Sequence, residues 1–128
     1  MLIIESREGP GMRPKVSNVA IDCTDMDAMV AFWGALLDME VTGRDDDWTD
    51  LEPLGDGGPL LSFQLVPDGK RVKNRVHLDV AVPDIRAAGE RARALGATPH
   101  GPPMGEDPDR PFQVWLDPLG NEFCLVTA

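Results

Sequence analysis

Two stretches of the chain change their hydrophobic period in the same way. Residues 18–38, NVAIDCTDMDAMVAFWGALLD, and 77–97, HLDVAVPDIRAAGERARALGA, align without a gap at a constant offset of 59. Each opens with apolar side chains at alternate positions, Val19, Ile21 and Cys23 in one and Leu78, Val80 and Val82 in the other. That spacing predicts a strand with one buried face. Past Asp25 and Asp84 the spacing becomes helical, through Met26, Met29, Val30, Trp33, Leu36 and Leu37, and through Ile85, Ala88, Ala92 and Leu95. Both aspartates suit an N-cap, because a carboxylate there accepts the free N–H groups of the first turn. Gly96 suits a left-handed C-terminal cap.

The doubling continues downstream. Glu52-Pro53-Leu54-Gly55 and Asp117-Pro118-Leu119-Gly120 each fit a type I turn, with Pro second and Gly fourth. A strand precedes each turn, and LLSFQLV or EFCLV follows it, while MEVTGR or ATPHG fits a short strand after each helix. The pattern predicts an α+β domain over 15–128 made of two tandem βαβββ modules, 15–67 and 73–128, joined by a polar link at 68–72. Residues 1–14 are expected to form a tail or an additional strand.

Alternation also sorts the faces. Opposite the helices it places Asn18, Ala20 and Asp22; Ser62, Gln64 and Val66; His77, Asp79 and Ala81; and Glu122, Cys124 and Val126. The strands before the turns add Trp48 and Asp50, then Gln113 and Trp115. An antiparallel sheet often turns such a mixed face to water. Two tryptophans there call for a cover, either a ligand or a second subunit. Exposed edges of the half-sheets predict a homodimer.

Composition narrows the partners. A net charge of −10 excludes sequence-independent binding to nucleic acid or to an anionic membrane. No apolar run reaches the length of a membrane span, and MLIIESREGP lacks the basic region and long apolar core of a leader, so a cytoplasmic setting is expected. Two cysteines on opposite faces, Cys23 and Cys124, predict no disulfide. The run KRVKNR at 70–75 is read as a solvated linker or as an attractor for an anionic small molecule.

The doubled unit, the HLDVAVPD strand and the closing DPLGNEFCLV together resemble the vicinal oxygen chelate superfamily, in its glyoxalase-like branch. The resemblance implies the glyoxalase/bleomycin resistance fold, a curved and cupped mixed sheet with helices outside. Metal-using relatives place four ligands in that cup, from the first and last strand of each half. Those positions fall here on Asn18, Gln64, His77 and Cys124. Two amides are weak ligands without carboxylates beside them, so the expected protein is metal-independent. An ion, if held, would draw on His77, Cys124, Gln64 and Glu122, with Asp79 joining by rearrangement.

One fold hosts many chemistries. The favoured reading is a small-molecule-binding protein with its ligand in the cup, turnover left open. Asn18, Asp22, Trp48, Gln64, Trp115 and Cys124 are the candidate ligand contacts; His77, Asp79 and Glu122 are the candidate acid–base groups. The alternatives are a metal-dependent lyase, isomerase or dioxygenase and an antibiotic-sequestering resistance protein.

Overall fold

The computed structural model describes residues 15–128; the expectation for residues 1–14 lies outside them. The chain runs β1 (Asn18–Cys23), α1 (Met26–Leu37), β2 (Gly43–Arg44), β3 (Trp48–Pro53), β4 (Leu60–Leu65), β5 (Leu78–Val82), α2 (Ile85–Ala94), β6 (Thr98–Pro99), β7 (Phe112–Leu116) and β8 (Glu122–Thr127). The two βαβββ modules are therefore present. Each forms its own four-stranded mixed sheet, ordered β1-β4-β3-β2 and β5-β8-β7-β6. The first strand of each module pairs parallel with the last, and the other pairs are antiparallel.

The helices begin and end where their caps direct. Asp25 accepts the Ala28 N–H at 3.0 Å, and Asp84 accepts those of Arg86 and Ala87 at 2.9 and 3.4 Å. At the end of α2, Gly96 takes a φ of +110°. Its N–H donates to Arg93 O at 3.0 Å while Ala97 N–H donates to Ala92 O at 2.9 Å. This pair of bonds is a Schellman cap, and only a residue tolerant of positive φ closes it cheaply.

The Pro-Leu-Gly segments behave differently. Gly120 N–H donates to Asp117 O at 2.9 Å, closing the expected turn. In the first module the strand continues through Pro53, and the hairpin closes later, with Leu54 N–H donating to Pro59 O at 2.8 Å. The cause is a bulge between Asp50 and Pro53, which puts one more residue into β3 than β4 can match.

The modules meet through aromatic packing rather than through strand ladders. Phe32 and Trp33 of α1 lie 5.7 and 5.0 Å, centroid to centroid, from Phe123 of β8. Helix α1 thus buries Met26, Met29, Phe32 and Trp33, a face broad enough to serve its own sheet and its neighbour's. The sequence pattern singled out Trp33 and passed over Phe32, because one helical stripe accounts for only one sheet. Leu65, on the helix side by the alternation that puts Gln64 on the other, is 41% exposed at the end of β4.

Among the described residues one buried polar contact crosses the same junction, beside an exposed one from Arg91 Nη2 to Ala35 O at 3.0 Å. The Trp33 indole Nε1–H donates to Asp117 Oδ2 at 3.1 Å. Asp117 is buried and also accepts the backbone N–H groups of Leu119 and Asn121 at 3.0 and 2.9 Å, plus the Asn121 amide. A buried carboxylate is tolerable only when its acceptor sites are filled in this way. Asp117→Ala is expected to cost about 3 kcal/mol or more, since it strands several buried donors at once. Removal of the exposed cap, Asp84→Ala, is expected to cost about 1 kcal/mol. Urea unfolding compares the two; equal midpoints would refute the ranking.

Candidate functional site

Register settles which side chains share the faces away from the helices. Opposed residues point the same way, so the parallel pairs Asn18↔Leu60, Ala20↔Ser62 and Asp22↔Gln64 put Asn18, Asp22, Ser62 and Gln64 together. The antiparallel pairs Trp48↔Gln64 and Asp50↔Ser62 add Trp48 and Asp50. Around Asp50 these groups close on one another. Its Oδ1 accepts from Trp48 Nε1 at 2.7 Å, Ser62 Oγ at 2.6 Å and Asn18 Nδ2 at 3.3 Å, and Asn18 Nδ2 also donates to Ser62 Oγ at 3.0 Å. Asn18 and Trp48 are thereby committed to a local network, while Gln64 and Asp22 remain exposed. Asp50 is the hub that the sequence reading placed on this face without assigning it a role.

The second sheet carries a different cluster. Parallel pairing sets Asp79 beside Cys124, and His77 lies one strand repeat before Asp79. His77 Nε2 and Asp79 Oδ1 are 3.2 Å apart, and the donor atoms of His77, Asp79 and Cys124 all lie within 4.8 Å of one another. His77 and Asp79 are exposed, whereas Cys124 is buried. Burial pushes the Cys124 thiol up, and the Asp79 carboxylate adds to this through its charge and a hydrogen bond; Lys73 pulls weakly the other way. Cys23 is also raised, chiefly by burial, and lies on the helix side as expected.

Glu122 faces the same side but is engaged elsewhere. Lys70 Nζ sits 3.0 Å from its Oε1, and the Asn74 backbone N–H donates to that oxygen at 2.9 Å. Burial alone would raise this carboxyl, but the Asn74 bond and Lys70 outweigh it and hold it below its usual value. Glu122 therefore acts as the latch for the linker and is not drawn into the His77 cluster.

Trp115 and Gln113 require a correction. Trp115 opposes Phe123 and Gln113 opposes Leu125, so both lie on the helix side. Trp115 is 3% exposed, with Arg93 Cζ 5.6 Å from its ring centroid. A Cβ on Gly89 would stand 2.8 Å from Trp115 Cζ2, so glycine is what lets the ring under α2. The two strand-turn segments align residue for residue, yet only β3 carries the bulge. One extra residue exchanges the faces of everything before it.

Between the modules lies a cleft of about 710 Å³. Edge strands β1 and β5 both reach it, and its apolar lining includes Ile21, Trp33, Leu78 and Phe123. Asp22, Asp68, Lys70, Arg75 and His77 contribute the charged and titratable groups. Asn18, Gln64 and Cys124 are not among the residues that line it. The four positions expected to converge in one hollow are thus divided: an amide-bearing network on the first sheet, and His77 with Cys124 on the second. Lys70, Asn74 and Arg75, between β4 and β5, were not named as individual site residues, although the run 70–75 that holds them was read as a solvated linker or as an attractor for an anionic small molecule.

A family model described as a glyoxalase-like domain matches residues 18–126. The chain belongs to this glyoxalase-like family. Its fold is that of the vicinal oxygen chelate superfamily. A glyoxalase/bleomycin resistance protein/dioxygenase family enzyme from Burkholderia phytofirmans is similar at a TM-score of 0.74 and 21% identity, covering 89% of this chain and 98% of that one. The fosfomycin resistance protein FosX from Listeria monocytogenes is similar at 0.72 and 13% identity, covering 91% and 94%. A glyoxalase-related enzyme from Fulvimarina pelagi gives 0.70 and 16%, covering 89% and 88%. No curated protein matches the chain. At these identities the neighbours speak for the fold.

The metal implied by the superfamily does not fit its usual four positions in this glyoxalase-like chain. Asn18 is bonded to Asp50 and Ser62, Gln64 is a bare amide, and neither supplies charge. The stronger donors are all in the second module, with Asp79 beside His77 and Cys124.

Cys124, protonated and shielded, is expected to react with iodoacetamide at neutral pH more slowly than a free thiol does. Asp79→Asn removes the carboxylate that helps hold the proton, so labelling of Cys124 is expected to speed up. Peptide mass mapping reads the rate; no change in the variant would show that Asp79 does not govern the thiol.

Proposed function

We propose that the protein binds a small organic acid in the cleft between its modules. The observation that supports this most directly is the cleft's combination of size and lining. A volume of about 710 Å³ is within the range of small-molecule sites, roughly 300–1,000 Å³. Ile21 and Leu78, both part-buried, offer apolar surface to an apolar body. Lys70 is neutralised by Glu122, but among the described residues Arg75 has no carboxylate partner. A free guanidinium at the cleft matches a carboxylate or phosphate in the ligand. The fold shared with fosfomycin resistance proteins supports a small-molecule role. Binding of this kind needs no metal ion.

The same proposal takes the protein as a cytoplasmic homodimer. Among the described residues no helix is long and apolar enough to cross a membrane. Val72 and Val76, in the segment between β4 and β5 that reaches the cleft, are 76% and 74% exposed and offer a second copy apolar surface.

Thermal-shift titration of the full chain with a panel of small aromatic carboxylic acids and their matching amides tests the ligand class. The acids are expected to bind about tenfold more tightly, a difference of about 1.4 kcal/mol. Arg75→Ala is expected to erase that preference. Ala20→Trp, which fills the cleft from an exposed strand position, is expected to abolish binding. Failure of every acid to bind, or affinity indifferent to both substitutions, would overturn the assignment. Sedimentation of the same samples checks the dimer separately.

A further inference from the structure

We propose that the cleft between the modules selects a zwitterion, an organic acid that carries an ammonium group at the other end of an apolar body. This inference rests on the organic-acid reading of the cleft and narrows it.

The charges that line the cleft are divided by module. Asp22 is the next-to-last residue of β1, and Asp68 lies just past the end of β4. Those strands run parallel through Asp22↔Gln64 and Cys23↔Leu65, and the Val66 N–H extends the ladder by donating to Cys23 O at 2.8 Å. Both carboxylates therefore stand where β1 and β4 finish, on the first module's side of the cleft, and both line it. Arg75 belongs to the other side. It follows Asn74, whose backbone N–H and side-chain amide are bonded to Glu122 at the start of β8, so it sits where β5 and β8 begin.

None of the three is neutralised within the chain. Among the described residues Asp22, Asp68 and Arg75 have no ion-pair partner, and all three are exposed. The other ionic groups at the cleft cancel or are occupied: Lys70 pairs with Glu122 at 3.0 Å, and His77 stands 3.2 Å from Asp79. Two free carboxylates thus face one free guanidinium.

This balance decides against a simple monoanion. A cleft of about 710 Å³ is on the order of 10 Å across, so a molecule seated midway lies within the Debye length, about 8 Å at physiological salt, of both walls. An acid held by Arg75 is then repelled by Asp22 and Asp68. An ammonium at its far end turns both repulsions into attractions and offers three hydrogen-bond donors to the carboxylates. The guanidinium still takes the acid through paired hydrogen bonds, and Ile21 and Leu78 meet the body between the charges.

Isothermal titration of the full chain at neutral pH tests this with three matched compounds. The doubly charged one is para-(aminomethyl)phenylacetate; para-methylphenylacetate lacks its amine, and para-(aminomethyl)phenylacetamide lacks its acid. The doubly charged compound is expected to bind about tenfold more tightly than either. Asp22→Asn combined with Asp68→Ala, both at exposed positions, is expected to weaken binding of the doubly charged compound and to tighten that of para-methylphenylacetate. General damage to the cleft would not produce those opposite signs. Arg75→Ala is expected to bring the doubly charged compound down to the level of the amide. Equal affinity of the unaltered chain for the two acids would overturn the zwitterion and leave the organic-acid reading in place, whereas binding of neither acid would overturn both. A preference for the amine that survives the double substitution would also overturn the inference.

Discussion

A single buried hydrogen bond, from the Trp33 indole to Asp117, ties the two halves of the molecule at the point where their cores merge. Among the described residues the sheets share no backbone ladder, so the relative placement of β1 and β5 rests on side-chain packing across α1 and β8. Hydrophobic contact between Trp33, Phe32 and Phe123 supplies most of the attraction, but such contact is non-directional. Asp117 adds direction. Its remaining acceptor sites are taken by its own turn, so the carboxylate cannot swing away without leaving several donors unpaired. The cleft between the modules keeps its shape for the same reason, since Trp33 is both part of the clamp and part of the lining.

The faces away from the helices show how a duplicated plan comes to carry unequal chemistry. On the first sheet a carboxylate at Asp50 gathers an indole, a hydroxyl and an amide into a network that satisfies itself. On the second, His77, Asp79 and Cys124 stand together with two of the three exposed. The linker bridges these regions, pinned by Lys70 and Asn74 to Glu122. The Glu122 carboxylate is thereby used to hold the chain at the cleft.

Much of this was legible in the residues. The period change after Asp25 and Asp84 marked both helices and their caps, and alternation in the first and last strand of each module agrees with the register that sets Asp22 beside Gln64 and Asp79 beside Cys124. The glycine at position 96 announced its cap. What escaped were features set by the partner module or by register. Phe32 looks surplus until Phe123 of the other half is beside it. Trp115 shares the parity of Asp50 relative to the following proline, and nothing in the letters marks the extra residue in β3. Arg75 and Asn74 belong to a polar run whose destination depends on the tertiary contact with Glu122.

That extra residue has a consequence for how far the internal repeat can be taken as symmetry. In β3 it turns Trp48 and Asp50 outward; without it, β7 tucks Trp115 beneath α2 against Gly89. A protein assembled from two copies of the segment 73–128 would therefore not be an idealised ancestor of this one. Both its halves would hide their third-strand tryptophan, and neither could display the indole–carboxylate pair that distinguishes the present first half.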